Sequence, residues 1–103
     1  TIIHTGIKAF MEPDEVLEMY IRSSSPKKLG LVLANSVGVV DSDYYNNSDN
    51  DGEIMLAVYN LFPWSVYIKP GTRVSQGVFK KFLRPTDALV KDVERAGGYG
   101  STN

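Results

Sequence analysis

Cysteine is absent from the sequence of 103 residues, and histidine and tryptophan each occur once. Without a thiol the chain can form no disulfide bond, no thiolate metal site and no cysteine nucleophile, which suits a reducing cytoplasm. No apolar run approaches the roughly 18 residues of a membrane-spanning helix, and no secretion-signal pattern is present. Acidic and basic side chains nearly balance, at a formal net charge of −1. We therefore expect a cytoplasmic protein that binds neither membranes nor nucleic acid.

Helical periodicity is also scarce. Short apolar segments alternate with turns rich in proline, glycine and asparagine, a spacing typical of all-β sandwiches and barrels. Strands are predicted over residues 1–10, 15–21, 29–34, 54–62, 66–68 and 73–83. At this length one domain with a modest core is expected. We assign residues 1–86 to a β-domain and residues 87–103, which end in a glycine-rich segment, to a C-terminal arm that is flexible without a ligand.

A long polar segment lies between two apolar runs in the middle of the chain. Residues 37–41 and 54–59 have the β-branched character of strands, and the Asn, Asp, Ser and Gly residues between them favour turns. We predict that the two runs pair antiparallel as a β-hairpin with an unusually long acidic tip at residues 45–51. Asp41 and Tyr44 lie near its mouth, where a carboxylate and a ring can meet a ligand. A solvated loop is the alternative.

A second candidate site follows the strand at residues 15–21. Arg22 precedes three serines, and Pro26 stands where the first turn of a short helix would begin. A helix start offers free N–H groups to an anion, and the planar guanidinium group of arginine suits phosphate oxygens. An ordinary capped turn is the alternative. Further along, Tyr59 and Phe62 are predicted to be core aromatic residues.

Four segments carry motifs in a fixed order along the chain. They are Arg22-Ser23-Ser24, Asn35-x-x-Gly38-x-Val40-Asp41-x-Asp43-Tyr44 followed by Gly52-Glu53-Ile54-Met55, Gly71-Thr72-Arg73-Val74-Ser75-Gln76, and Gly98-Tyr99-Gly100-Ser101-Thr102. Together they resemble the phosphate-binding motif, the uracil-binding hairpin, the Gly-x-Arg-Ile-x-Gln motif and the C-terminal arm of the trimeric dUTP diphosphatases (dUTPases). The long hairpin is similar to that of phage or Gram-positive members.

The resemblance implies a jelly-roll-like β-barrel that assembles as a homotrimer with active sites shared between subunits. It implies hydrolysis of dUTP to dUMP and diphosphate by attack of water on the α-phosphorus, which removes dUTP and supplies dUMP for thymidylate synthesis. Such chemistry needs cations and N–H donors on the triphosphate and a base on the water. The implied cofactor is Mg²⁺, held by the phosphates of the substrate and not directly by the protein.

On the family pattern, four residues contact the phosphates. These are Arg22, Ser23, Ser24 and Gln76, with Ser23 at the oxygen that bridges the α- and β-phosphates. Asp41 matches the aspartate that deprotonates the attacking water and binds the 3′-OH of the sugar. Tyr44 matches the tyrosine whose ring packs where a ribose 2′-OH would lie, a contact that excludes the ribonucleotide. The implied catalytic residues are Asp41, Ser23 and Arg22.

The base, on the same pattern, is bound by the hairpin and covered by the arm. Uracil is held by Asn35, by the backbone of Gly38, Val39, Val40 and Asp41, and near Met55. The arm contributes Arg95, Tyr99, Gly100, Ser101 and Thr102, with Tyr99 in place of the usual phenylalanine. Stacking of a base on an aromatic side chain is worth about 1–3 kcal/mol, enough to order such an arm when ligand is present.

The sequence departs from the family pattern in three places. The first motif, Ala-Gly-x-Asp-Leu, whose aspartate receives Mg²⁺ through water, would precede Thr1 and is not among these residues. We expect it, with the N-terminal strands of the barrel, to lie upstream of Thr1 in the complete protein. The tip at residues 45–51 extends the hairpin. In the arm, Arg95 lies one residue closer than usual to the aromatic residue, and Asn103 stands where glycine is usual.

Two other functions remain open on the sequence. A dUTPase-like module could bind a regulatory protein through the tip at residues 45–51, with or without catalysis. A dCTP deaminase shares the fold and an Arg-Ser-Ser motif, but its chemistry needs a glutamate in the first arm of the hairpin. Residues 34–40 contain no acidic side chain, which disfavours the deaminase.

Overall fold

The computed structural model describes residues 1–83. It contains six strands, which are β1 (Ile2–His4), β2 (Glu15–Ile21), β3 (Leu31–Leu33), β4 (Gly38–Asp41), β5 (Met55–Asn60) and β6 (Ser75–Lys81). One short α-helix, α1 (Ser25–Leu29), follows β2, and a 3-10 helix (Ser42–Tyr44) follows β4. The prediction of an all-β protein is therefore confirmed for this part of the chain. Neither of these helices is long and apolar enough to cross a membrane.

The strands form two antiparallel sheets of three strands each. In the first sheet β5 lies between β1 and β3, and in the second β2 lies between β4 and β6. Side chains alternate between the two faces of a strand. Leu56 and Val58 are therefore buried on the same face of β5. In β3, Leu31 and Leu33 are buried in the same way, whereas Val32, which lies between these two leucines, is only half-buried. The first sheet thus presents one apolar face to the interior.

Two clusters of buried side chains form the core. The first consists of Leu31, Leu33, Leu56, Val58 and Val74, and the second of Met11, Leu17 and Ile54. Met19, on β2, packs against both clusters. It therefore joins the second sheet to the buried face of the first. Full burial of each such side chain stabilises the fold by about 1.5–3 kcal/mol.

The turn after β2 is a short helix, as the serine and proline pattern predicts. Ser24 is the N-cap residue of α1, Pro26 lies in its first turn, and Gly30 ends it in the left-handed conformation, with φ of 68°. The amide of Gly30 donates a hydrogen bond of 3.1 Å to the carbonyl oxygen of Pro26. A Cβ atom on Gly30 would lie 2.7 Å from Cγ of Phe62. Only glycine therefore satisfies both the backbone and the packing at this position.

The predicted pairing of residues 37–41 with residues 54–59 is wrong. β4 pairs with β2 in the second sheet, whereas β5 pairs with β1 and β3 in the first. The connection, residues 42–54, is too long for a tight hairpin turn and carries the chain from one sheet to the other. The apolar pattern of each run is correct for a strand, but such a pattern does not identify the strand's partner. The two runs therefore belong to different sheets.

The aromatic residues at the end of β5 are more exposed than predicted. Tyr59 is 61% exposed and is not a core residue, because it points to the face opposite the buried Val58. Phe62 is half-buried and packs against Trp64, with ring centroids 4.9 Å apart. Residues 66–68, predicted as a strand, form none.

Candidate active site

A cavity of about 140 Å³ lies between β4 and the start of β5. Its lining comes from both sheets and from the 3-10 helix, and consists of Met19, Leu33, Asn35, Gly38, Val39, Val40, Tyr44, Ile54, Met55, Leu56 and Ala57. A cavity of about 150 Å³ accommodates one benzene ring. This space, which we call the ring cavity, therefore suits a single six-membered ring.

One wall of the ring cavity is an edge strand. Within residues 1–83, β4 has a strand neighbour only on its β2 side, so backbone N–H and C=O groups on its other side can bind a ligand. Gly38 brings the backbone of this wall close to β2, because a Cβ atom there would lie only 3.2 Å from Cβ of Met19 and 3.8 Å from the side-chain nitrogen of Asn35. Backbone donors and acceptors beside an amide side chain match the hydrogen-bonding edge of a pyrimidine base.

Tyr44 lines the ring cavity, and its hydroxyl group is held from two sides. The hydroxyl donates a hydrogen bond of 2.6 Å to the carbonyl oxygen of Glu53 and accepts one of 2.8 Å from the side-chain amide of Asn50. The carboxylate of Glu53 lies 3.0 Å from Nδ1 of His4 and accepts a hydrogen bond of 3.0 Å from the amide of Gly6. The bond with His4, and then that with Gly6, lowers the pKa of Glu53. The hydroxyl of Tyr44 is thus bonded to Glu53 and Asn50, and the side chain of Glu53 is bonded in turn to His4 and Gly6.

Asp41 ends β4, next to the wall of the ring cavity. It pairs with Val16 across the second sheet and is exposed. Asp41 is also the N-cap residue of the 3-10 helix, but its side chain makes no capping hydrogen bond. The carboxylate is therefore not occupied by a capping role, and it lies at the surface where a bound water could reach it.

A second and wider cavity of about 370 Å³ lies beside the turn after β2 and the turn before β6. Its lining consists of Arg22, Ser24, Ser25, Lys28, Leu29, Thr72 and Arg73. Three cationic side chains meet there and no carboxylate lines the space, which suits a phosphate-bearing ligand. The guanidinium group of Arg22 also donates a hydrogen bond of 3.4 Å to the carbonyl oxygen of Arg73. We call this space the cationic cavity.

Ser25 fixes the wall of the cationic cavity. Its side chain is buried, and its hydroxyl donates a hydrogen bond of 2.7 Å to the carbonyl oxygen of Val74. The carbonyl oxygen of Val74 also accepts a hydrogen bond of 3.2 Å from the amide of Arg22. The carbonyl oxygen of Arg22 accepts a hydrogen bond of 3.0 Å from the amide of Ser25. These bonds place the two motifs that are predicted to bind phosphate side by side.

The structure brings most of the predicted base-binding residues together. Those that line the ring cavity are Asn35, Gly38, Val39, Val40, Tyr44 and Met55. Of the predicted phosphate contacts, Arg22 and Ser24 line the cationic cavity, while Ser23 is exposed in the same turn without lining it. Gln76 is exposed on β6 opposite Tyr20 and lines neither cavity. The roles of these residues stay predictions.

The predicted arm lies outside the described residues. This applies to Arg95, Tyr99, Gly100, Ser101 and Thr102, and also to the predicted boundary between residues 86 and 87. Their assignments, like the binding of a regulatory protein through residues 45–51, stay predictions.

Four polar residues of the cationic cavity are not among the predicted contacts. They are Ser25, Lys28, Thr72 and Arg73. The sequence did offer a signal for them, because Lys28 follows the serines closely and Arg73 belongs to the glycine and arginine motif. Met19 in the ring cavity offered no such signal, since only the pairing of β2 with β4 brings it beside Gly38.

Comparison with known proteins identifies relatives of this chain. The family model described as dUTPase matches residues 1–103. The chain is 53% identical over 102 residues to the deoxyuridine 5′-triphosphate nucleotidohydrolase of Lactococcus lactis subsp. lactis (strain IL1403), covering 98% of this chain and 68% of that protein. It is 30% identical over 100 residues to the protein of the same name from Buchnera aphidicola subsp. Schizaphis graminum (strain Sg), covering 96% of this chain and 59% of that protein.

A solved structure has the same fold. The crystal structure of the dUTPase from Streptococcus mutans matches with a TM-score of 0.79 and 49% sequence identity, over 84% of this chain and 69% of that one. The likeness confirms the predicted dUTPase-type β-fold. The chain spans between 59% and 69% of the length of these three proteins. Because its family model matches along the whole chain, this chain belongs to the dUTPase family.

Proposed function

We propose that the protein hydrolyses dUTP to dUMP and diphosphate, with water attacking the α-phosphorus. The observation that carries the proposal is the ring cavity, which accommodates one six-membered ring between the edge strand β4 and the start of β5. The cationic cavity offers the positive charge that a triphosphate needs. The relative from L. lactis is named for this substrate. The reaction would remove dUTP and supply dUMP for thymidylate synthesis, and the cytoplasmic location expected from the lack of cysteine is part of the proposal.

Uracil is selected, in this proposal, by shape and by hydrogen bonds. The free edge of β4 offers backbone donors and acceptors to the N3–H group and the two carbonyl groups of the base. The amide of Asn35 can donate and accept in the same plane. Thymine carries an additional methyl group, which the ring cavity of about 140 Å³ would have to accommodate. Discrimination against thymine is therefore expected to arise from volume, and discrimination against cytosine from the hydrogen-bonding pattern.

The triphosphate is proposed to lie along the cationic cavity. The residues proposed to contact its oxygens are Arg22, Ser23, Ser24, Lys28, Arg73 and Gln76. Arg22 presents a planar fork that can bind two phosphate oxygens at once, while Lys28 acts as a point charge. Together the three cations stabilise the charge that develops as the bond to the diphosphate breaks.

Mg²⁺ fits this site only together with the substrate. No carboxylate or imidazole group lines the cationic cavity. Residues 1–83 contain no group of three or more His, Cys, Asp or Glu side chains that could hold a metal ion. Because Mg²⁺ prefers oxygen ligands and keeps several waters, the phosphate oxygens of dUTP are its proposed ligands. When bound there, it would neutralise part of the charge of the triphosphate.

Asp41 is the proposed base. Its carboxylate lies at the end of the strand that forms the wall of the ring cavity, and no capping hydrogen bond occupies it. From there it can take a proton from a water molecule aligned with the α-phosphorus and accept a hydrogen bond from the 3′-OH of the sugar. The ring of Tyr44 is proposed to pack against the sugar where a ribose would carry its 2′-OH.

A complete site is proposed to need more than one subunit. Among the described residues, the ring cavity and the cationic cavity have no lining residue in common. We therefore assign them to different subunits of a homotrimer, with the arm residues Arg95 and Tyr99 covering the base. Large apolar side chains that are exposed in the single chain would be covered in such an assembly. They include Leu61, Trp64, Tyr67, Val78 and Phe79.

The activity is tested by incubating the protein that carries this chain with dUTP, dCTP, dTTP or UTP and Mg²⁺, and separating the products. We expect dUTP to give equal amounts of dUMP and diphosphate. The other three nucleotides are expected to react at least about 100-fold more slowly. Conversion of dCTP to dUTP would identify a deaminase instead, and a lack of turnover of dUTP would contradict the proposal.

The shared site is tested by complementation between two inactive variants. Asp41→Asn changes the half with the ring cavity, and Arg22→Ala changes the half with the cationic cavity. When the two variants are produced together, some sites of the mixed trimers contain neither change. We expect activity to return only in the mixture. Inactive mixtures, with the mass of a single chain in light scattering, would contradict the trimer.

A further inference from the structure

The tip at residues 45–51 is a hydrogen-bonded structure built onto Tyr44. The side-chain nitrogen of Asn47 donates to the carbonyl oxygen of Tyr44 at 2.7 Å and to the side-chain oxygen of Asn50 at 2.8 Å. The side-chain oxygen of Asn47 accepts from the amides of Asp49, at 2.9 Å, and Asn50, at 3.1 Å. The amide of Gly52 donates to the oxygen of Asn50 at 3.0 Å. The side chains of Asn47 and Asn50 thus bond to each other and to the backbone of the tip and of the residues on either side of it.

The two ends of the tip are also fixed to their surroundings. Gly52 is buried with φ of 88°, and a Cβ atom there would lie 2.7 Å from the amide nitrogen of Asn46 and 3.0 Å from the carbonyl oxygen of Tyr44. The ammonium group of Lys8 contacts Asn46 and lies 3.0 Å from the carboxylate of Asp51. The backbone on both sides of the tip is therefore packed against Tyr44 or held by the N-terminal segment.

Asn50 connects this tip to the side chain of Tyr44. Its amide group donates to the tyrosine hydroxyl at 2.8 Å, and the hydroxyl donates to the carbonyl oxygen of Glu53 at 2.6 Å. A ring that is held only by packing can turn about its side-chain bonds, whereas two hydrogen bonds at the hydroxyl fix the far end of the ring. Tyr44 thus lines the ring cavity and is also bonded to the tip through its hydroxyl group.

We propose that Asn50 is a positioning residue that sets the discrimination between deoxyuridine and uridine triphosphates. Asn50 does not line the ring cavity, so it acts through Tyr44, whose ring the proposed function places against the sugar. The inference rests on that function. A ring that is fixed at its hydroxyl cannot move away from the 2′-OH of a ribose, and so it excludes the ribonucleotide. A ring released from Asn50 moves aside and admits it.

The test compares four variants in the protein that carries this chain: Asn50→Ala, Tyr44→Phe, the double variant and Ser48→Ala. Ser48 is an exposed residue of the same tip and serves as the matched control. The measured quantity is the ratio of kcat/KM for dUTP to kcat/KM for UTP. Because Asn50→Ala removes one neutral hydrogen bond from the hydroxyl of Tyr44, we expect it to lower this ratio by about three- to tenfold. Ser48→Ala should leave it unchanged.

The double variant separates positioning from general stability. If Asn50 acts through the hydroxyl of Tyr44, the substitution Asn50→Ala lowers the ratio in the wild-type background but not in the Tyr44→Phe background. If Asn50 only stabilises the tip, its substitution lowers the denaturation midpoint and leaves the ratio unchanged in both backgrounds. An unchanged ratio for a folded Asn50→Ala protein would overturn the inference.

Two further readouts keep the inference separate from the proposed hydrolysis. Dissociation constants for non-hydrolysable analogues of dUTP and UTP should show the same loss of discrimination in Asn50→Ala, even if turnover is slow. The hydroxyl proton of Tyr44, identified by its loss in Tyr44→Phe, should exchange with solvent faster in Asn50→Ala. Turnover of dUTP with equal ratios for wild type and Asn50→Ala would refute only the inference, whereas a wild-type protein that neither binds nor hydrolyses dUTP would refute both.

Discussion

The hydroxyl of Ser25 donates a hydrogen bond of 2.7 Å to the carbonyl oxygen of Val74. Ser25 is 1% exposed, and the bond spans 49 positions of the sequence. It joins the start of α1 to the residue that precedes β6, and so it holds Arg22 and Arg73 on the same cavity. The third serine of the arginine-serine segment therefore has a structural role.

The substitution Ser25→Ala should destabilise the fold by about 1–2 kcal/mol, because a buried hydrogen bond is lost while the carbonyl oxygen of Val74 keeps its bond from the amide of Arg22. Urea denaturation measures this change. Ser48→Ala removes an exposed hydroxyl and should stay within about 0.5 kcal/mol of wild type. If the two variants are equally stable, the bond between Ser25 and Val74 does not support the fold.

Gly30 offers a second test of the same region. Gly30 and Gly71 both have positive φ, of 68° and 86°, but only at Gly30 would a Cβ atom meet the ring of Phe62, at 2.7 Å. Gly71→Ala should therefore destabilise the fold only by the cost of holding an alanine in the left-handed conformation, about 1–2 kcal/mol. Gly30→Ala should cost about 1–3 kcal/mol more, because the ring must move. Thermal denaturation of both variants measures the difference.

A third variant identifies the origin of that difference. Adding Phe62→Ala to Gly30→Ala removes the ring that the new methyl group would strike. The cost of Gly30→Ala should then fall to that of Gly71→Ala when it is measured in the Phe62→Ala background. An unchanged cost would assign the effect to the backbone alone.

The strands could be predicted from sequence, but their partners could not. The runs that contain β4 and β5 have the β-branched, apolar character that predicts a strand, and this prediction is correct. Their pairing depends on contacts with β1, β2 and β3, which leave no pattern within the two runs themselves. The burial of Tyr59 was mispredicted for a related reason. An aromatic side chain at the end of a strand faces the core or the solvent according to the strand's neighbours, not its composition.

The sequence groups the residues of the ring cavity more completely than those of the cationic cavity. Asn35, Gly38 and Tyr44 lie within a short stretch, so local motif spacing is enough to place them together. The cationic cavity combines α1 with the turn before β6, and the bond between Ser25 and Val74 that joins them spans 49 positions. The Arg-Ser-Ser motif identifies Arg22, but only the fold brings Lys28 and Arg73 to the same cavity.

The ion pair between Glu18 and Lys80 gives the fold a defined pH dependence. Oε1 of Glu18 lies 2.8 Å from Nζ of Lys80 and accepts a hydrogen bond of 2.6 Å from the hydroxyl of Tyr20. The bond with Lys80, and then that with Tyr20, lowers the pKa of Glu18 below its ordinary value of 4.5. The folded state therefore releases this proton more readily than the unfolded state. The stabilisation is present above the unfolded pKa and is lost as the pH falls through the folded pKa.

Glu18→Gln should therefore lose less stability than wild type between about pH 6 and about pH 3. Urea midpoints measured across this range test the expectation. Lys80→Gln should flatten the profile as well, because it removes the largest cause of the shift. Glu12→Gln, which changes an exposed glutamate in the turn before β2, is the matched control and should keep the slope of wild type. Parallel profiles for wild type and Glu18→Gln would show that the pair does not contribute.

The proposed stacking of Tyr99 on the base can be tested by substitution. In the protein that carries this chain, Tyr99→Ala should weaken the binding of a non-hydrolysable dUTP analogue by about 1–3 kcal/mol, the value of one base stacked on an aromatic ring. Tyr99→Phe keeps the ring and should bind as tightly as wild type. Calorimetric titration measures all three proteins. Equal affinity of wild type and Tyr99→Ala would remove Tyr99 from the site.

Asp41→Asn tests the proposed base. Asparagine has the size of aspartate and can still form hydrogen bonds with the sugar or the water, but it cannot take a proton at neutral pH. A general base contributes about 10²- to 10⁴-fold to the rate, so kcat should fall by that factor. The dissociation constant for a non-hydrolysable dUTP analogue should stay close to that of wild type, because the interaction is made chiefly in the transition state.

The competing interpretation is that Asp41 supports the 3-10 helix that it precedes. Its side chain makes no capping hydrogen bond in that helix, so its substitution should leave the urea midpoint within about 0.5 kcal/mol of wild type. Loss of a true cap would instead lower stability and leave the rate per folded site nearly intact. Asp43→Asn, a change of the same kind inside the helix, controls for the loss of one negative charge. Wild-type turnover in a folded Asp41→Asn protein would exclude Asp41 as the base.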